Sequence, residues 1–150
     1  MALAPQLRAS LLSFGDFFRH IGAGADLQTF GREYVIKNKP ADVVDEFLAF
    51  YAAIPLSRCV IEGIRHVAIW RALQKRAESA RLVFIDIEKP ALLNRLMARS
   101  AIDLNDARRR LDHAVESEVM DLRNAAEIVL KQHSRALAVA AVMDELAKLR

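Results

Sequence analysis

The chain has a single cysteine, Cys59, in 150 residues, so no intrachain disulfide can form and the fold must rest on a packed core. That cysteine lies in an apolar run, which reads as a buried, inert thiol rather than a reactive one. No apolar run approaches the roughly 18 residues of a membrane span. Residues 1–13 carry one arginine, a proline and no small-residue cleavage pattern, so they make a poor signal peptide. A soluble cytoplasmic domain without a membrane partner is expected. Dense basic runs are scarce too. The formal charge is only +3, and the arginines are spread along the chain. The seven Phe and one Trp fit core positions rather than exposed stacking platforms. Nucleic acid is therefore not the expected partner, and an anion site explains the small basic excess as well. Finally, no glycine-rich phosphate loop exists anywhere in the chain.

What is present is an ordinary globular balance, 53% apolar and 27% charged. There is no repeat and no linker, so residues 1–150 read as one domain. The first ten residues read as the tail of a helix, followed by a short strand over Leu11–Phe14. Gly15–Asp16 reads as the turn that opens the next helix, with Asp16 as its N-cap. Leu27–Lys37 has helical spacing, Pro40 opens a helix that runs to Ala53, and Arg58–Ile64 is a near-continuous apolar strand. A helix over Val67–Glu78, a strand over Arg81–Ile87 and a helix from Glu88 to Arg99 follow. Residues 100–110 read as a polar, mobile segment. A helix over His113–Arg123, a strand over Glu127–Lys131 and a closing helix over Ala136–Leu149 complete the chain. Alternating strands and helices predict an α/β fold, a three-layer sandwich of mostly parallel sheet with helices on both faces. Such sheets bind ligands beyond the carboxyl ends of their strands, where Asp16, Glu62, Arg65 and Asp86 fall.

Two edges of this kind carry chemistry-bearing residues. In Glu62–Gly63–Ile64–Arg65, the carboxylate could hold a hydrated Mg²⁺, the glycine admits a ligand to the backbone and the arginine can grip phosphate bidentately. The bland alternative is a strand-to-helix turn with a surface ion pair. In Gly15–Asp16–Phe17–Phe18–Arg19, the arginine sits one turn into a helix and the acid could orient or deprotonate a hydroxyl, or simply cap the helix. Arg95 and Arg99, at i and i+4, share a helix face near Lys89 and Asn94, and paired guanidiniums stabilise spread phosphate charge. A solvated basic face at a helix C-terminus explains them too. Arg108–Arg109–Arg110 reads as a solvated face. His20, His66 and the His113/Glu116 pair lack the spacing of a zinc site.

The order Ser-Phe-Gly-Asp-Phe-Phe-Arg, Val-Ile-Glu-Gly-Ile-Arg-His, Leu-Val-Phe-Ile-Asp-Ile-Glu-Lys-Pro and Asn-Arg-Leu-Met-Ala-Arg is similar to P-loop nucleoside and nucleotide monophosphate kinases, adenylate kinase-like or deoxynucleotide kinase-like. The resemblance covers Leu11 to the C-terminus. It implies a phosphotransferase in which Arg19 and Arg65 hold the phosphate of a nucleoside monophosphate. Glu62 would be the acid on the Mg²⁺ side, Asp16 would act on the acceptor, and Arg95 and Arg99 would contact the transferring phosphoryl. Residues 27–53 would be an acceptor-binding helical insertion and residues 100–110 a short lid.

The chain departs from that pattern at its start. The strand, G-x-x-x-x-G-K-[ST] loop and lysine that cradle the triphosphate have no counterpart, so no tight binding of ATP or Mg²⁺ and no efficient transfer are expected of this chain. A non-catalytic nucleotide-sensing or protein-interaction module is the alternative. In the family the missing strand lies between those matching Arg58–Ile64 and Arg81–Ile87. Either the natural protein is longer at its N-terminus, or those two strands pair directly, or another chain fills the gap in a homodimer through the exposed sheet edge.

Overall fold

The computed structural model describes residues 3–22, 26–77, 79–112, 114–131 and 134–148, with the side chains of residues 99, 100, 114–117 and 135 left aside. They fall into two compact units that divide between Ala80 and Arg81.

In the first unit, α1 (Leu3–Gln6) leads into β1 (Ser10–Ser13), which runs directly into α2 (Phe14–Ile21). The switch from strand to helix is made by Ser13, whose Oγ accepts the Asp16 N–H at 3.3 Å and so caps α2. Ser13, not Asp16, is the N-cap, and Asp16 places its charge in the first turn, where the helix dipole favours it. Helix α3 (Leu27–Lys37) is capped by Asp26 through the Thr29 N–H at 2.9 Å. Helix α4 (Pro40–Phe50) has Pro40 in its first turn, where a missing N–H costs nothing. A 3₁₀ turn (Leu56–Arg58) then enters β2 (Cys59–Glu62), and α5 (Val67–Gln74) closes the unit.

Strands β1 and β2 are parallel, in the register Ser10↔Cys59, Leu11↔Val60, Leu12↔Ile61 and Ser13↔Glu62. The core beside them is aromatic. Phe14 and Phe47 stack with ring centroids 3.9 Å apart, and Phe17 meets Phe47 edge-on at 5.8 Å. Phe14, Phe17, Phe47, Val43 and Val44 are fully buried with Leu12. Each such ring contributes the largest apolar area a side chain can bury. Arg76 clamps this core from outside with a bidentate pair to Asp45 (3.0 and 2.8 Å).

In the second unit, β3 (Val83–Asp86), α6 (Lys89–Ser100), α7 (Leu104–Leu111), α8 (Ala114–Ala125), β4 (Ile128–Lys131) and α9 (Arg135–Lys148) follow in order. Strands β3 and β4 are parallel, with Val83↔Ile128 through Asp86↔Lys131. The Glu127 carboxylate accepts the Leu82 N–H at 2.7 Å, just before β3 begins. Leu82, Ile128, Leu122, Ala138, Val139 and Val142 are buried. The stretch 100–110, expected to be an irregular segment, contains α7, capped by Asp103 through the Asp106 N–H at 2.8 Å.

The predicted three-layer sandwich is overturned. Among the described residues there are two separate two-stranded parallel sheets in a mostly helical chain, not one sheet faced by helices. Strands β2 and β3 belong to different sheets, so direct pairing across the gap does not occur. Each strand is four residues long, and β2 and β3 are half-exposed rather than buried on both faces. A short apolar run reads the same whether it lies inside a sheet or at its edge. The resemblance to P-loop nucleotide kinases falls with the sheet, because that architecture is one continuous parallel sheet.

Candidate functional site

The carboxyl ends of β1 and β2 bring several of the sequence-selected residues into one neighbourhood. The chain leaves β2 through Gly63, whose φ of +81° lies in the left-handed region open to glycine. A Cβ built on Gly63 would stand 3.5 Å from the Gly15 backbone nitrogen and 3.5 Å from the Phe14 Cβ, so the start of α2 lies within reach of one added methyl group. Neither glycine presents a side chain there. The Arg19 guanidinium lies over Gly15, 3.5 and 3.6 Å from the position a Cβ would take.

Arg19 is not idle. Its guanidinium donates to the Asp16 carboxylate at 2.6 Å, an i, i+3 pair on an exposed face of α2. Exposed pairs of this type contribute little to stability and open readily. Glu62, at the last position of β2, and Arg65, in the turn before α5, are both exposed. Thus Asp16, Arg19, Glu62 and Arg65 all belong to the first unit, at or after the carboxyl ends of its strands. Arg95 belongs to the second unit and is exposed on α6, and the Arg99 side chain lies outside the described residues. Lys89, also on α6, pairs with Asp112 at 3.0 Å. Arg108, Arg109 and Arg110 are exposed on α7, with Arg109 held by Asp106.

Asp86, the remaining acid at a strand end, accepts from the Arg123 Nε at 3.1 Å. His20 is exposed and its ring lies against Phe50, with centroids 5.0 Å apart. His113 lies outside the described residues, as does the Glu116 side chain. Cys59 is half-buried rather than buried, and that burial pushes its thiol above its ordinary pKa.

Sequence reading passed over two residues that organise this end of the sheet. Ser13 could have been found from Ser13-x-x-Asp16, an acid three residues after a serine at a helix start. Tyr51 could not. Its hydroxyl accepts the Ser13 N–H at 3.0 Å and donates to the Ser13 carbonyl at 3.2 Å, across thirty-eight positions of sequence.

The phosphotransferase reading, and with it the assignment to nucleotide kinases and transferases, is overturned. Among the described residues there is no continuous nucleotide-binding sheet, and the sequence has no glycine-rich loop. Among the described residues, no group of three or more His, Cys, Asp or Glu side chains comes together to hold a metal ion. Also among the described residues, no helix is long and apolar enough to cross a membrane. Comparison with protein-family models and with curated proteins finds no match to this chain.

Proposed function

We propose that the carboxyl end of the β1–β2 pair is a non-catalytic binding site for a small phosphate-bearing anion. The observation that carries this reading is that Gly63 faces the Gly15 nitrogen across a gap one methyl group would fill, with the Arg19 guanidinium over Gly15. Two turns without side chains leave backbone open to an anion at the start of α2, where the helix dipole is positive. Arg19 supplies a planar donor suited to phosphate oxygens, and Arg65, two residues beyond Gly63, supplies a second. Asp16 competes with the anion for Arg19, so the expected affinity is weak and falls with added salt. Glu62 adds negative charge nearby and works in the same direction. ATP is not part of this reading, because no triphosphate cradle exists in the chain. A cytoplasmic location belongs to the same proposal and suits a lone unoxidised cysteine.

The test is amide NMR during titration with inorganic phosphate and, separately, phenyl phosphate. Shifts concentrated at Gly15, Gly63 and their neighbours, reduced in Arg19→Ala and in Arg65→Ala, are expected. Shifts that are absent, or unchanged in both variants, overturn the reading.

A further inference from the structure

The core of the second unit closes without α6 and α7. Ile128 gives its N–H to the Leu82 carbonyl at 3.2 Å, and Leu82 gives its own to the Glu127 carboxylate at 2.7 Å. At the other end of β3, Asp86 accepts from Arg123 of α8 at 3.1 Å. These bonds tie β3 directly to α8 and β4. Buried apolar side chains lie in the same place: Leu82, Leu122 and Ile128, with Ala138, Val139 and Val142 from α9.

Between β3 and α8, helices α6 and α7 form a hairpin that packs chiefly on itself. Ala101 makes its turn with φ at +49°, a left-handed conformation that is strained for a residue with a Cβ. Its ends meet through Lys89 and Asp112, an exposed pair at 3.0 Å that contributes little. Among the described residues α6 buries no side chain, and its apolar stripe of Leu92, Leu93, Leu96 and Met97 is only half-buried. Of the described side chains of α7, Ala107 alone is buried.

Helices of 12 and 8 residues are marginal by themselves in water. Three arginines in succession, Arg108 to Arg110, burden α7 further. Each helix therefore depends on the other, and together they add little to the core of the unit. Segments with so few buried apolar contacts occupy the low end of local stability.

We propose that Lys89–Asp112 is an order–disorder element, in which α6 and α7 melt and re-form together while β3, β4, α8 and α9 stay folded. The strained turn at Ala101 sets the balance toward melting. The exposed clasp between Lys89 and Asp112 yields without leaving a buried charge behind.

Amide hydrogen exchange of the full chain tests this, under conditions where exchange reports equilibrium opening and at urea concentrations below the unfolding transition. The Leu96 amide of α6 and the Leu111 amide of α7 are expected to exchange at least about tenfold faster than Ile128, with a shallower dependence on urea. Ala107→Gly, which weakens only α7 directly, speeds exchange about fivefold in both helices. Ala101→Gly relieves the left-handed turn and slows both about threefold. Both variants change single small residues, and circular dichroism verifies that they fold. Leu96, Leu111 and Ile128 sharing one rate and one urea slope overturn the proposal, because the unit would then open as a whole. An Ala107→Gly effect confined to α7 overturns it as well, because the two helices would then melt separately.

Discussion

Tyr51→Phe tests how the sheet edge of the first unit is held. The substitution removes one oxygen and leaves the ring, which lies 5.2 Å from Phe47 and 4.7 Å from Phe50 between centroids. What is lost is the acceptor for the Ser13 N–H and the donor to the Ser13 carbonyl. Ser13 is 6% exposed, so water reaches its backbone poorly and the N–H is left without a partner. A buried orphan of this kind costs about 1–3 kcal/mol. Urea unfolding reads that loss as a lower midpoint at unchanged slope. Amide exchange reads it locally, as loss of protection at Ser13. Ser13→Ala, which leaves the backbone groups in place and removes only the cap on α2, costs about 0.5–2 kcal/mol by a different route. Its Ser13-position amide stays protected. A Tyr51→Phe cost within about 0.5 kcal/mol, the size of an ordinary surface change, would refute the idea that the hydroxyl closes the edge.

Two further outcomes follow from local geometry. Gly63→Ala is destabilising by about 1–2 kcal/mol, the cost of a left-handed backbone at a residue with a Cβ. It does so through φ alone, because the nearest atoms at 3.5 Å are in ordinary contact, and thermal unfolding beside Gly15→Ala checks it. Tyr34 donates to the Glu46 carboxylate, and that hydrogen bond, with lesser contributions from burial and the charge of Glu46, pushes its pKa up to about 12. The folded chain thus keeps a proton that the unfolded chain releases near the ordinary tyrosine value. Stability is fully present below about pH 10 and falls as pH rises toward 12. Glu46→Gln flattens that fall, and a pH series of urea midpoints reads it.

Most individual elements were legible in the residues, α7 (Leu104–Leu111) excepted. Helices over Leu27–Lys37 and from Pro40 onward were readable because apolar spacing and proline placement act within a few residues. The apolar runs around Cys59–Glu62, Val83–Asp86 and Ile128–Lys131 are strands, shorter than read but in place. Val43, Val44 and Phe47 on α4 and Trp70 and Leu73 on α5 are buried at helical spacing, while Leu48 and Tyr51 are half-buried. In the candidate site, residues carried by one local segment were likewise visible, such as Asp16 and Arg19 one turn apart.

Which strand pairs with which was not local. β1 joins β2 across roughly fifty residues and β3 joins β4 across forty-five, while β2 and β3, neighbours in sequence, do not join. Pairing is settled by long-range hydrogen bonding and by what packs on each face, and a four-residue apolar run carries no record of either. That is why the chain reads as one continuous sheet, while its described residues form two. Tyr51 makes the same point at the scale of one atom. Its ring belongs to a helical pattern readable in the residues, while its hydroxyl acts on a strand backbone that only tertiary packing brings within hydrogen-bond reach.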